Sequence, residues 1–139
     1  MSDASAERMA SVLLDTTVLI DVLRRRPGAI ERLQALQRAR DVVWTSAVNV
    51  EETVRGLRPA EEDAARRLFA GLRLAPLGDE EGWRAGAWRR SFVASGVTLA
   101  QADCLVAAAA AGIGARLATG NPKDFPMEGL AVEHWPAGA

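Results

Sequence analysis

Ser11–Leu14 is a short apolar run that stops at Asp15, and its length suits a buried strand. Thr16 and Thr17 follow as N-cap candidates. Val18, Leu19, Val22 and Leu23 then recur at helical spacing, and Pro27 sets the limit of that helix. Ile30, Leu33 and Leu36 predict a second helix over Ala29–Ala39. Val42–Thr45 is β-branched and aromatic, as a buried strand requires. Ser46 is placed to cap a helix over Ala47–Arg55 that ends at Gly56. Pro59 opens a helical stretch over Ala60–Gly71 with Ala64, Ala65 and Leu68 inward, and Arg73–Leu77 reads as a short strand.

Asp79–Ser95 reads as a helix with Trp83, Ala87, Trp88 and Phe92 as its core stripe, stopped by Gly96. Thr98 and Gln101 have the spacing of a capping box for a helix over Leu99–Ala111, which places Asp103 about one turn in. Ala115–Ala118 is a third buried strand, Thr119–Phe125 a loop, and Leu130–Trp135 a last strand. The order strand, helices, strand, helices, strand predicts an α/β domain with a mostly parallel central sheet. Residues 1–10 read as a flexible terminus and 11–139 as one domain.

Composition narrows the function classes. The chain has 139 residues, 49% hydrophobic and 25% charged, with a net charge of −1, which suits one globular domain with an ordinary core. Its one cysteine, Cys104, permits no intrachain disulfide. No apolar run suits a signal peptide or a bilayer span, so a cytoplasmic location is expected. Arg24–Arg26, Arg66–Arg67 and Arg89–Arg90 read as solvated helix faces. One histidine, His134, and one cysteine cannot build a zinc site, and His134 reads as a structural or surface residue. There is no dinucleotide fingerprint, Walker A sequence or nucleophile elbow.

The remaining chemistry is carboxylate. In an open parallel sheet, ligands bind beyond the carboxyl ends of the strands. Asp15 follows the first strand, the helix carrying Glu51 and Glu52 follows the second, and Thr119, Asn121 and Asp124 follow the third. Asp103 lies beside a packed apolar run, where an acid is rare unless it has a partner. Acids gathered in one pocket repel one another, and an oxygen-only set without histidine suits a hard cation, Mg²⁺ or Mn²⁺. Each acid also has a plainer reading: Asp15 as a cap, Glu51 and Glu52 as macrodipole partners, and Asp124, Asn121 and Thr119 as turn residues.

Four stretches in order resemble the PIN-domain family, specifically its VapC group of toxin–antitoxin ribonucleases. They are Leu13–Asp21, Thr45–Gly56, Leu99–Ala108 and Ala118–Phe125, within a resemblance that covers about residues 12–135. The acid four residues before Gly56 selects Glu52 over Glu51. The resemblance implies an α/β/α sandwich, Mg²⁺ or Mn²⁺, and endonucleolytic cleavage of RNA. It implies a VapB-like antitoxin partner, a homodimer, and contact with operator DNA only through the antitoxin.

On that pattern Asp15 and Asp103 are the main metal ligands, Glu52 ligates directly or through water or orients the nucleophile, and Asp124 with Asn121 completes the pocket. Thr16 or Thr17, with Thr119, would position a phosphate or a carboxylate. Two departures are visible: Asn49 where threonine is usual, and Thr53 where an aliphatic residue is usual. Neither is expected to touch an acid. The competing readings are a catalytically inactive PIN-fold binding module and a haloacid-dehalogenase-like phosphatase with Asp15 as nucleophile. The second lacks its usual acid at position 17 and has only Lys123 as a candidate lysine.

Overall fold

The computed structural model describes residues 10–139. The flexible terminus expected for residues 1–10 therefore lies, apart from Ala10, outside the described residues.

A five-stranded sheet is built from β1 (Ser11–Leu14), β2 (Val42–Thr45), β3 (Arg73–Leu74), β4 (Arg116–Thr119) and β5 (Val132–His134), in the order β3-β2-β1-β4-β5. Every neighbouring pair is parallel, with Leu13 opposite Trp44 and Leu14 opposite Ala118. The helices are α1 (Thr16–Leu23), α2 (Pro27–Arg38), α3 (Ala47–Arg55), α4 (Glu62–Ala70), α5 (Asp79–Ala94) and α6 (Gln101–Gly112). Short 3₁₀ turns occupy Pro59–Glu61 and Pro122–Asp124.

Strand alternation divides the core between the two faces of the sheet. Val12 and Leu14 pack with Val18, Leu19 and Val22 of α1 and with Ala29 and Leu36 of α2. Leu13 and Leu117 pack on the other face with Ala85 of α5 and the Cys104–Ala110 run of α6. The alanines let α6 lie close against the sheet, and Ala107–Ala110 are wholly buried. Among the described residues no helix is long and apolar enough to cross a membrane.

Three local expectations need correction. α2 begins at Pro27 rather than Ala29, because proline at the first helical position loses no bond the helix would make. On α5 the inward residues are Ala85, Trp88 and Phe92, whereas Ala87 is exposed and Trp83 is 74% exposed. A regular helix cannot turn Trp83 and Phe92 to one face, because they lie nearly opposite at about 100° per residue. α6 starts at Gln101 with extended Ala100 before it and no side-chain cap, so the Thr98–Gln101 capping box does not form. Leu99 is buried, and the extended chain that carries it inward delays the helix. Asp103 therefore lies in the first turn of α6.

Candidate active site

The strand order reverses direction between β1 and β4, which leaves a crevice beyond their carboxyl ends. Asp15 enters it directly from β1. Its backbone N–H donates to the Ala118 carbonyl at 2.9 Å, extending the β1–β4 ladder by one residue. Asp15 precedes α1 in extended conformation, but its carboxylate makes no capping bond to that helix. The plainer capping role is thus not what the side chain does, and Thr16 and Thr17 are first-turn residues, not caps.

Asp15 is 7% exposed. Its Oδ2 accepts from Thr119 Oγ1 at 2.8 Å and from Thr17 Oγ1 at 3.4 Å, and its Oδ1 faces Asn49 Nδ2 at 3.4 Å. Burial pushes its pKa up. The Thr119 hydroxyl and the Thr16 backbone pull it back, and the charge of Glu52 adds to the rise. Thr17 and Thr119 also tie down the next segment. Gly120 N–H donates to Thr17 Oγ1 at 2.9 Å, and Asn121 N–H to Thr119 Oγ1 at 3.0 Å. A Cβ at Gly120 would lie 3.1 Å from Ala137 and 3.2 Å from Thr17 Oγ1, so the close approach favours glycine there.

A second arm comes from α3. Ser46 caps this helix, accepting from Asn49 N–H at 3.4 Å, and its hydroxyl donates to Asn49 Oδ1 at 2.6 Å. That bond turns the Asn49 amide so that Nδ2 reaches Thr16 Oγ1 at 3.1 Å as well as Asp15. Thr16 then donates to Glu52 Oε1 at 2.7 Å. The expectation that Asn49 touches no acid is therefore overturned: it is fully buried and faces Asp15. Glu51, in contrast, is exposed and lies 4.0 Å from Arg55. Thr53 is buried, and its hydroxyl has no hydrogen-bond partner among the described residues.

Asp103 completes the convergence. Its pKa is raised from 3.8 to about 6, first by burial and then by the charges of Asp124, Asp15 and Glu52. The charges of three acids from separate segments therefore reach Asp103. Asp124 ends the Pro122–Asp124 turn, its N–H bonded to the Asn121 carbonyl at 3.0 Å. Asn121 contributes its backbone to that turn, with its side chain at the surface. His134 is exposed at the end of β5.

Residues 12–126 match the family model described as the PIN domain. The chain belongs to the PIN domain family. This PIN domain is 33% identical to Ribonuclease VapC10 of Mycobacterium tuberculosis over 116 residues, covering 84% of this chain and 86% of that protein. It is 29% identical to Ribonuclease VapC19 of the same species over 115 residues, covering 83% and 92%. In three dimensions it resembles the crystal structure of VapBC2 from Rickettsia felis bound to a promoter DNA fragment. The TM-score is 0.80 over 90% of this chain and 98% of that one. At 19% identity that likeness shows the shared fold.

Within the PIN domain, Asn49 is the residue that sequence reasoning missed; Ser46 caps α3 as expected, but its bond to the Asn49 amide was not foreseen. The signal was a polar residue on an otherwise inward helical position, one turn before Glu52 on α3. Thr17 was the other underrated position, since its hydroxyl links Asp15 to the Gly120 backbone.

Proposed function

We propose that this PIN domain is a metal-dependent endoribonuclease and the toxin of a toxin–antitoxin pair. The observation that carries the reading is the convergence on Asp103, whose proton affinity is raised first by burial and then by the charges of Asp124, Asp15 and Glu52. Among the described residues no arginine or lysine pairs with Asp15, Glu52, Asp103 or Asp124. Like charges held together in this way are relieved by a cation.

The donors are all oxygen, which suits Mg²⁺ or Mn²⁺. Among the described residues no three acids form a ready-made ligand set. That fits Mg²⁺, which is commonly held by one or two carboxylates and keeps water on its other positions. Asp15 and Asp103 would hold the ion, with Glu52 and Asp124 completing the pocket directly or through water. A bound ion would activate water and offset charge on the phosphodiester. The chain's own contribution is orientation: Thr119, Thr17 and Asn49 aim Asp15, and Thr16 holds Glu52 towards it. The charge that Asp124 exerts on Asp103 favours it over Asn121 as the fourth contributor.

The relatives named as VapC ribonucleases support RNA as the substrate. One solved neighbour is a VapBC2 assembly on promoter DNA, which supports a similar pairing for this chain. A VapB-like antitoxin would bind it, operator DNA would be reached through the antitoxin, and the toxin would be a homodimer.

Controlled expression in a bacterial host tests the reading. Wild type should arrest growth, Asp15→Asn and Asp103→Asn should not, and co-expression of the cognate antitoxin should restore growth. Equal toxicity of Asp103→Asn would refute the acidic site. An inert wild type would favour the non-catalytic binding module.

A further inference from the structure

Beyond β5 the chain crosses to the α1 and α2 face of the sheet. Trp135 N–H donates to the Thr119 carbonyl at 2.9 Å, and the Trp135 side chain is buried with Val18 and Val22 of α1 and Ala29 of α2. Residues 136–139 then form a strap held at three points. A Cβ on Gly120 would meet Ala137 Cβ at 3.1 Å, Gly138 N–H donates to Asp21 Oδ2 at 2.8 Å, and Gly28 N–H donates to the Ala139 main-chain oxygen at 2.9 Å. α2 has no side-chain cap, so the strap supplies an acceptor that its first turn lacks. A Cβ on Gly28 would lie 3.0 Å from that oxygen, so the docking needs glycine there as it does at Gly120. Asp21 is half-buried on α1, and among the described residues its carboxylate has no other hydrogen bond and no ion pair.

We propose that Asp21 is a positioning residue for Asp15, acting through this strap and the Gly120–Asn121 backbone. The inference rests on Asp15 as a metal ligand, but not on RNA as the substrate. Asp21 fixes Gly138, and that seats Ala137 on Gly120. Gly120 N–H then donates to Thr17 Oγ1, as Asn121 N–H does to Thr119 Oγ1. A hydroxyl that accepts a backbone N–H directs its own proton elsewhere, and both hydroxyl protons go to Asp15 Oδ2. Oδ2 is thereby committed to the protein. Oδ1 meets only Asn49 Nδ2, at 3.4 Å, and is the freer oxygen to meet an ion. Release of the strap would uncover Gly120, open its N–H to water, and free the Thr17 hydroxyl to turn from Asp15. Covering α1 and α2 needs only Trp135. The residues after it are small and exposed, and their contacts go to Gly120, to Asp21 and to the first turn of α2.

The test joins amide hydrogen exchange, followed by NMR in chelator, with calorimetric titration of Mg²⁺ into the full chain. Asp21→Ala should speed exchange at Gly120 about five- to tenfold, the worth of one hydrogen bond, and weaken Mg²⁺ binding by a similar factor. Exchange at Leu117, inside β4, should not change. Asp21→Asn retains an oxygen for Gly138 N–H and should stay within about twofold of wild type in both measurements. Ala137→Gly keeps the Asp21 bond but removes the methyl group over Gly120, and should speed exchange there about fourfold. Unchanged exchange and Mg²⁺ affinity in Asp21→Ala would overturn the proposal. So would faster exchange spread equally to Leu117, which marks a merely structural role, or an Asp21→Asn variant as impaired as Asp21→Ala. A wild type that binds no Mg²⁺ would overturn both the strap's role and the metal site. A wild type that binds Mg²⁺ but leaves RNA intact would overturn the nuclease reading alone, and the strap would stand on exchange and affinity.

Discussion

Asp103→Asn removes one charge from the crowded pocket, and the consequence for stability can be worked out. The wild-type carboxyl titrates at about 6 instead of 3.8, because it is partly buried and faces Asp124, Asp15 and Glu52. At about 1.4 kcal/mol for each tenfold change in proton affinity, that rise corresponds to about 3 kcal/mol. The side chain retains contact with solvent, so screening reduces this to about 1–2 kcal/mol.

The folded chain holds the proton to higher pH than the unfolded chain. The penalty is therefore absent below about pH 4, grows through about pH 6 and is complete above it. Asparagine carries no such penalty. In chelator at neutral pH, Asp103→Asn should be more stable by about 1–2 kcal/mol, a Tm increase of roughly 3–8 °C for a domain of this size. The advantage should shrink towards zero on acidification to about pH 4. Urea titrations or scanning calorimetry across that range, with chelator throughout, measure it. Saturating Mg²⁺ should then stabilise wild type by about 2.7 kcal/mol at a hundredfold excess over its Kd, enough to outweigh the variant's advantage. A variant less stable than wild type in chelator at neutral pH, or an advantage that does not change with pH, would refute the crowding argument.

Substitutions at three further positions test the buried polar groups. Asn49→Ala should lower kcat for RNA cleavage about tenfold or more with little change in KM, because the link from Ser46 to Asp15 and Thr16 is lost, whereas Asn49→Thr should retain most activity. Thr119→Val leaves Asp15 Oδ2 without its shortest donor; urea unfolding should show a loss of about 1–3 kcal/mol, and the acidic limb of the cleavage–pH profile should move to higher pH because that hydroxyl holds the Asp15 pKa down. Thr53→Val should be neutral or stabilising by up to about 1 kcal/mol in the same titration, since the buried hydroxyl it removes has no partner.

The parallel sheet and the polar positions beyond its central strands were legible because β1, β2 and β4 are short, largely apolar runs with Asp15, Ser46 and Asn121 close behind them. Glu52 was separable from Glu51 by its distance from Gly56, and the structure gives the physical difference: one is bonded to Thr16, the other lies beside Arg55 at the surface. Asn49 was not legible. Its contact with Asp15 crosses between α3 and the end of β1, and local spacing carries no information about that packing. The aromatic positions of α5 misled for a related reason. Counting large apolar side chains favours Trp83, yet the inward position is filled by small Ala85, where α5 packs against the alanine-rich α6. The capping-box pattern failed at Thr98 because burial of Leu99 outweighed a local bond worth about 1 kcal/mol.

The central claim is that Asp15, Glu52, Asp103 and Asp124 act as one ion-dependent site on RNA. Its most direct test is cleavage of a labelled RNA by purified wild type and Asp103→Asn, titrated with Mg²⁺ from a chelated start. Wild type should show no cleavage in chelator and saturable cleavage as Mg²⁺ is added, and the variant at least about a hundredfold loss. Cleavage that persists in excess chelator, or a variant as active as wild type at saturating Mg²⁺, would contradict it.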